Sequence, residues 1–418
     1  MTKRMLLFII MVLNLGGALL PARAAEHRPL VPQPREIRYG AGQIPLRGLT
    51  IRLPADPAAQ DIFAAQTLSA CLAARAGVSV PISTGQNPAG RAIVLERTGA
   101  VGALALPGEQ PGPDSREAYK ITAKQDAIEL RSSSTAGLFY GAQTMCQLVE
   151  GEDGDAVLPE VEIHDWPSLA YRGTMVDMSH GPLPTEGEVK RQLDFMARWK
   201  LNQYYFYNEA SVELKGYPLL NPGGRFTQDE VGRIVAYGRE RHIDVIPCLE
   251  LYGHLHDLFR VEKYSGLADV AHGTEFDPRN PGVMPLLADW AKQFAQLFPS
   301  PFVHIGFDET FQIEMAAKDA RGAADPATLF IRQLGDVARL FQQEGKTVMA
   351  WGDIMVKFPE VMQQLPPGGT RLAPTSNYNP TSLGTSQKSR RQKGRPGRSL
   401  IASRKRCSLS AGNLDNVG

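Results

Sequence analysis

Between Phe302 and Thr310 an apolar run, Phe-Val-His-Ile-Gly-Phe, leads directly into two adjacent carboxylates, Asp308 and Glu309. Side chains alternate across a strand, so Val303, Ile305 and Phe307 are predicted to face helices, while His304, Gly306 and Asp308 face the opposite side. Glu309 then falls just past the strand's end. In a barrel of parallel strands the loops after the strands form the face where chemistry is done, and a carboxylate pair at such an end is placed for it. Gly306 is expected to leave room there for a ligand.

The rest of the chain supports that architecture. Apolar runs at Ala92–Leu95 and Ala127–Leu130 read as strands, and Phe63–Ala73 and Gly137–Leu148 as helices. They form a small α/β domain over residues 25–165 without a recognisable catalytic constellation. Asp165-Trp166-Pro167 marks its end, since proline biases the preceding residue away from helix. Beyond Tyr171 the pattern becomes strand, loop, helix. Thr185 with Glu188, and Thr227 with Glu230, are capping boxes before amphipathic helices, and Asp325 caps a third helix with Pro326 at its first position. Strands are predicted near 172–177, 202–207, 243–249, 302–307, 346–351 and 370–374. Six such units suit a parallel β/α sheet, open or closed, over 166–384, to which the small domain is prefixed.

The ends differ in character. Lys3 and Arg4, an apolar run from Met5 to Leu20, and Ala22-Arg23-Ala24 have the three regions of a secretory signal peptide, with cleavage expected after Ala24. The run is short for a membrane span. Export to the periplasm or the exterior follows, with no membrane association after cleavage. From Thr385 the periodicity is lost, and residues 386–406 hold nine Lys or Arg and no Asp or Glu. The basic stretch lacks interleaved aromatics, so a disordered tail over 385–418 is favoured over a nucleic-acid site. A truncated or frame-altered carboxyl terminus is a further reading.

The pattern His304-x-Gly306-x-Asp308-Glu309-Thr310 resembles the signature of glycoside hydrolase family 20, the β-N-acetylhexosaminidases. Glu117-Ala118-Tyr119-Lys120-Ile121 and Gly137-Leu138-Phe139-Tyr140-Gly141-Ala142-Gln143-Thr144 resemble the domain preceding the family's barrel. Tyr171-Arg172-Gly173 with Asp177 resembles its first strand. It is mainly this resemblance that favours a (β/α)8 barrel, incomplete over 166–384, over an open sheet. The resemblance implies an exo-acting hydrolase of terminal GlcNAc or GalNAc, working by substrate-assisted retention. Glu309 would be the general acid and base, and Asp308 would orient the acetamido group. Trp351, in Ala350-Trp351-Gly352-Asp353, would wall the acetamido pocket, with Asp353 a weaker candidate. His254, in Glu250-Leu251-Tyr252-Gly253-His254, would join the charge network around the acid. Tyr378 is the nearest candidate for the family's pocket tyrosine.

Two departures stand out. The family carries an arginine three residues after the first-strand aspartate, where this chain has His180, which lacks the rigid guanidinium fork. The second-strand segment ends Tyr207-Asn208-Glu209 in place of the common His-Trp-His, making Glu209 a site candidate. Arg172, at its strand's start, reads as structural. A silent glycan-binding barrel, an O-GlcNAc hydrolase and a disaccharide-releasing glycosidase are the alternatives. N-acetylhexosamine-containing glycans are the expected partners, and the sequence leaves oligomeric state open.

No cofactor or metal is expected, since the eight histidines include no His-Glu-x-x-His spacing. The four cysteines, Cys71, Cys146, Cys248 and Cys407, read as buried thiols. Cys71 and Cys146 fall in one predicted domain and could pair in an oxidising compartment.

Overall fold

A computed structural model of the chain describes residues 27–85, 90–102, 104–318, 324–353 and 370–373. The expected signal segment, Tyr378 and the basic stretch lie outside them.

Residues up to Asp165 form a seven-stranded mixed sheet in the order β1-β7-β5-β6-β4-β2-β3. The strands are β1 (Glu36–Pro45), β2 (Thr50–Leu53), β3 (Ile82–Thr84), β4 (Ala92–Arg97), β5 (Tyr119–Ala123), β6 (Ile128–Ser132) and β7 (Val157–Asp165). Helices α1 (Ala59–Ala76) and α2 (Thr135–Gln147) accompany it. Ser134 caps α2, its Oγ accepting the Ala136 and Gly137 amides at 3.1 and 3.3 Å. A Cβ at Gly141 would lie 2.2 Å from Leu130 Cδ1, so the helix reaches the sheet only because glycine stands there. Cys71 and Cys146, with Cα atoms 6.1 Å apart, are joined in a disulfide that ties α1 to α2. That corrects the thiol reading for this pair, whereas Cys248 is a buried free thiol.

The second sheet is wholly parallel and runs in sequence order, β8 (Gly173–Asp177), β9 (Gln203–Asn208), β10 (Asp244–Leu249), β11 (Phe302–His304), β12 (Thr347–Trp351) and β13 (Thr370–Ala373). Its helices are α3 (Glu186–Arg198), α4 (Gln228–Glu240), the short α5 (His256–Phe259) and α6 (Glu262–Ser265), α7 (Val283–Leu297), the short α8 (Ile313–Ala316) and α9 (Pro326–Gln343). Sequential parallel neighbours joined through helices are the construction of a β/α barrel. The predicted caps form as read. Thr185 Oγ1 accepts the Glu188 amide while Glu188 accepts that of Thr185, Thr227 and Glu230 do the same, and Asp325 accepts the Thr328 amide at 2.8 Å.

Two cores result. Tyr205, Tyr207, Ile246, Cys248, Phe302 and Met349 pack together within the barrel wall, while Val303, Ile305 and Phe307 join the cluster that includes the helices' buried faces. The predicted alternation therefore holds. Strand β11 is shorter than predicted, ending at His304, because Gly306 and Phe307 both take φ of 75°. The chain still continues alongside β12, with Ile305 donating to the Met349 carbonyl and Trp351 to that of Gly306, each at 2.9 Å.

Buried polar networks join the first sheet to the barrel's base. Lys200 Nζ reaches Asp165 Oδ2 at 2.9 Å and the Tyr119 hydroxyl at 2.7 Å. Arg172 binds the Glu117 carboxylate and the Lys200 carbonyl, which bears out its structural reading. Asn202 Nδ2 donates to the same Glu117 at 2.8 Å.

Candidate active site

Strand ends β8 to β12 bring together residues far apart in sequence. Asp177 ends β8, Glu209 follows β9, Glu250 and His254 follow β10, Asp308 and Glu309 follow β11, and Trp351 and Asp353 follow or end β12. Glu309 takes φ of 49°, so the chain turns sharply at the pair. Its amide donates to Asp353 Oδ2 at 2.9 Å, which anchors the turn to the next strand's end.

His254 is the hub. Its Nε2 lies 3.6 Å from Asp308 Oδ2 and 3.6 Å from Glu309 Oε2, while Nδ1 lies 3.7 Å from Glu209 Oε1. Interaction with Asp308 raises the imidazole above its ordinary value, against the opposing pull of burial. One imidazole thus lies within 3.7 Å of Asp308, Glu309 and Glu209, and its interaction with Asp308 favours its protonated form. Glu209 is buried and accepts the Tyr207 hydroxyl at 3.0 Å, with His256 Nδ1 at 3.8 Å.

His180 belongs to the same group. Its Nδ1 is 2.8 Å from Asp177 Oδ2, its Nε2 is 3.6 Å from Glu209 Oε1, and its ring stacks on Tyr207 at 6.3 Å. Trp351 is half-buried and packs its ring 4.4 Å from His304. Burial pushes His304 down to about 4, so it is neutral at physiological pH. Thus Glu309, Asp308, His254, Glu209, His180, Trp351 and Asp353 are brought to one end of the barrel. Tyr378 lies outside the described residues.

Gly306 requires a correction. The space it leaves is filled by the protein's own Glu250 rather than left for a ligand, for a Cβ at Gly306 would lie 2.2 Å from Glu250 Oε2. Glu250 is buried, and burial followed by the charge of Asp308 pushes its carboxyl well above the ordinary range. Ionisation of Glu250 is therefore disfavoured beside Asp308. In the sequence Glu250 reads as part of the third-strand loop and not as a site residue. Its signal was spacing, since Pro247-Cys248-Leu249-Glu250 puts it one step past a buried strand. Glu275 carries no mark in the sequence. It lies in the long connection after α6, buried, with its carboxyl oxygens on the Gln312 and Ile313 amides at 2.7 and 3.1 Å. Among the described residues no cluster of three His, Cys, Asp or Glu side chains has the arrangement to hold a metal ion.

Comparisons agree with this construction. The family model for glycosyl hydrolase family 20, domain 2, matches residues 27–166, and that for the family's catalytic domain matches residues 169–372. A β-hexosaminidase of Porphyromonas gingivalis is 29% identical over 338 residues, covering 70% of this chain and 41% of that protein. One of Vibrio furnissii is 29% identical over 228 residues, covering 46% of this chain and 37% of the relative. The chain thus spans about two fifths of the length of these curated relatives. Among solved structures, a chitobiase of Flavobacterium johnsoniae superposes with a TM-score of 0.67 at 22% identity, over 84% of this chain and 55% of the other. A family 20 β-N-acetylhexosaminidase of Streptomyces coelicolor gives the same score and identity, over 84% and 70%. With both family domains in order and the barrel architecture shared, the chain belongs to glycosyl hydrolase family 20.

Proposed function

We propose that this protein is an exo-β-N-acetylhexosaminidase that releases terminal GlcNAc or GalNAc from glycans with net retention. The observation that carries the reading is the adjacent pair Asp308 and Glu309 beside one imidazole, His254 Nε2 standing 3.6 Å from a carboxylate oxygen of each.

The residues supply what a substrate-assisted displacement needs. The substrate's acetamido carbonyl oxygen attacks the anomeric carbon as the bond to the leaving oxygen breaks, and Glu309 gives its proton to that oxygen. Asp308 accepts the acetamido N–H, orients the group, and offsets the positive charge of the oxazolinium. Glu309, now a carboxylate, takes a proton from water as the water oxygen attacks the same carbon and the ring opens. Half-buried Trp351 offers an aromatic wall for the acetamido group, and His180 with Asp177 offers a polar contact for sugar hydroxyls where the family uses arginine.

Export is part of the proposal. The amino-terminal pattern supports it, as does the Cys71–Cys146 disulfide, since such bonds persist in oxidising compartments.

Turnover of a chromogenic N-acetylglucosaminide by the full chain, followed by NMR of the released anomer, is the test. Activity with first-formed β-anomer, and Asp308→Asn losing both turnover and inhibition by an oxazoline-mimicking thiazoline, is the expected result. No turnover, or α-anomer as the first product, overturns the reading.

A further inference from the structure

Residues 274–276 form a strut between the two loops that carry His254 and Glu309. On the first side, the Leu255 amide donates to the Thr274 carbonyl at 2.9 Å and the Phe276 amide to the Tyr252 carbonyl at 3.0 Å. These two bonds bracket His254. On the other side, the Glu275 carboxylate accepts the amides of Gln312 at 2.7 Å and Ile313 at 3.1 Å. The grip is reciprocal, for Gln312 Oε1 accepts the Thr274 amide at 3.0 Å and its Nε2 donates to Thr274 Oγ1 at 3.3 Å. Gln312 is separated from Glu309 by a tight turn, in which the Phe311 amide donates to the Glu309 carbonyl at 2.9 Å.

Glu275 sits in costly surroundings for a carboxylate. It is buried, its own carbonyl accepts the Asp269 amide at 2.9 Å, and Asp277, Tyr252 and Arg279 also surround this loop. Arg279 is held by the two aspartates, 3.3 Å from Asp277 and 3.7 Å from Asp269. Burial, reinforced by Asp269, pushes Glu275 up to about 7, against the pull of the amides it binds. Glutamine has only one oxygen to offer the two amides, so it cannot reproduce the contact.

We propose that Glu275 is a positioning residue for the general acid, fixing Glu309 against His254 through the backbone of Gln312 and Ile313. The inference rests on the acid role given to Glu309 under the proposed function. Small displacements of a reacting group cost much in rate, so a loosened acid loop should penalise reactions that need its proton more than those that do not.

The test compares the full-length wild type with Glu275→Gln and Gln312→Ala by two readouts. Amide hydrogen exchange over residues 309–315 is expected to quicken about tenfold in Glu275→Gln and less in Gln312→Ala. The kcat on an alkyl N-acetylglucosaminide is expected to fall about tenfold further than on a nitrophenyl one, with KM nearly unchanged. Unaltered exchange, or equal losses on both glycosides, overturns the inference. Should Glu275→Gln fail to fold, Glu275→Asp, whose shorter side chain withdraws the carboxylate from both amides, decides by the same readouts. If the wild type cleaves neither glycoside, the proposed function fails, and exchange alone then decides whether the strut exists.

Discussion

The Glu309 amide donates to Asp353 Oδ2 at 2.9 Å, so the backbone of the proposed acid is tied to the end of the neighbouring strand. The bond spans 44 residues of sequence and links two consecutive strand ends. It also holds Glu309 at a positive φ of 49°, a conformation that costs free energy for a non-glycine residue.

Asp353→Ala should therefore lower turnover more than Asp353→Asn, whose side-chain oxygen can still accept the amide. A hydrogen bond to a charged group contributes about 1.5–3 kcal/mol. If half of that is expressed in the transition state, the alanine variant loses about three- to tenfold in kcat. Steady-state kinetics of the two variants is the measurement, and equal effects would mean that charge, not the amide contact, is what Asp353 supplies.

Glu309→Gln removes the proposed proton donor while keeping its shape. Hydrolysis of glycosides with poor leaving groups should fall by about a hundredfold or more, and that of activated aryl glycosides by less, because their leaving oxygen needs little protonation. A series of aryl glycosides of graded acidity reads this as a steeper dependence of rate on leaving-group acidity. The same slope in wild type and variant would remove Glu309 from the role.

The elements were legible where local chemistry dictates them. Thr185 and Thr227 announce their helices through side-chain oxygens and a glutamate three residues on, and Asp325-Pro326 does so by fixing a cap and a first turn. The inward and outward faces of β11 could be read for the same reason, since alternation is a property of the strand alone. Its end could not. Phe307 takes a left-handed φ although its side chain stays packed against Tyr252 and Phe330, with ring centroids 5.3 and 5.7 Å away, and nothing in an apolar run announces such a turn. Glu275 was illegible for a different reason. Its partners are backbone amides 37 and 38 residues later, and a backbone amide leaves no signature in sequence.

His254 gives a pH signature. Its value is raised in the folded protein above the ordinary 6.5, so the interaction stabilises the fold fully below about pH 6.5. That contribution is lost as pH rises through the folded value. The stability difference between wild type and His254→Asn should accordingly be larger at about pH 5.5 than at about pH 8.5, as measured by urea denaturation. A difference independent of pH would show that His254 contributes through packing and not through charge.

Gly306 is the position where the site tolerates least. Its φ of 75° already disfavours any other residue, and an added methyl would stand 2.2 Å from Glu250 Oε2 and 2.6 Å from the Leu249 carbonyl oxygen. Neither neighbour can retreat freely, because Glu250 is buried against Asp308 and the Leu249 carbonyl belongs to a central strand. Backbone strain and overpacking each cost about 1–3 kcal/mol, so Gly306→Ala should destabilise the protein by about 2–6 kcal/mol. The double variant Gly306→Ala with Glu250→Ala removes one of the two clashes. It should recover part of the lost stability without recovering activity, because Asp308 would then lack the Glu250 carboxyl beside it. Denaturant midpoints for the two variants measure the relief, and a double variant no more stable than Gly306→Ala would place the whole cost in the backbone.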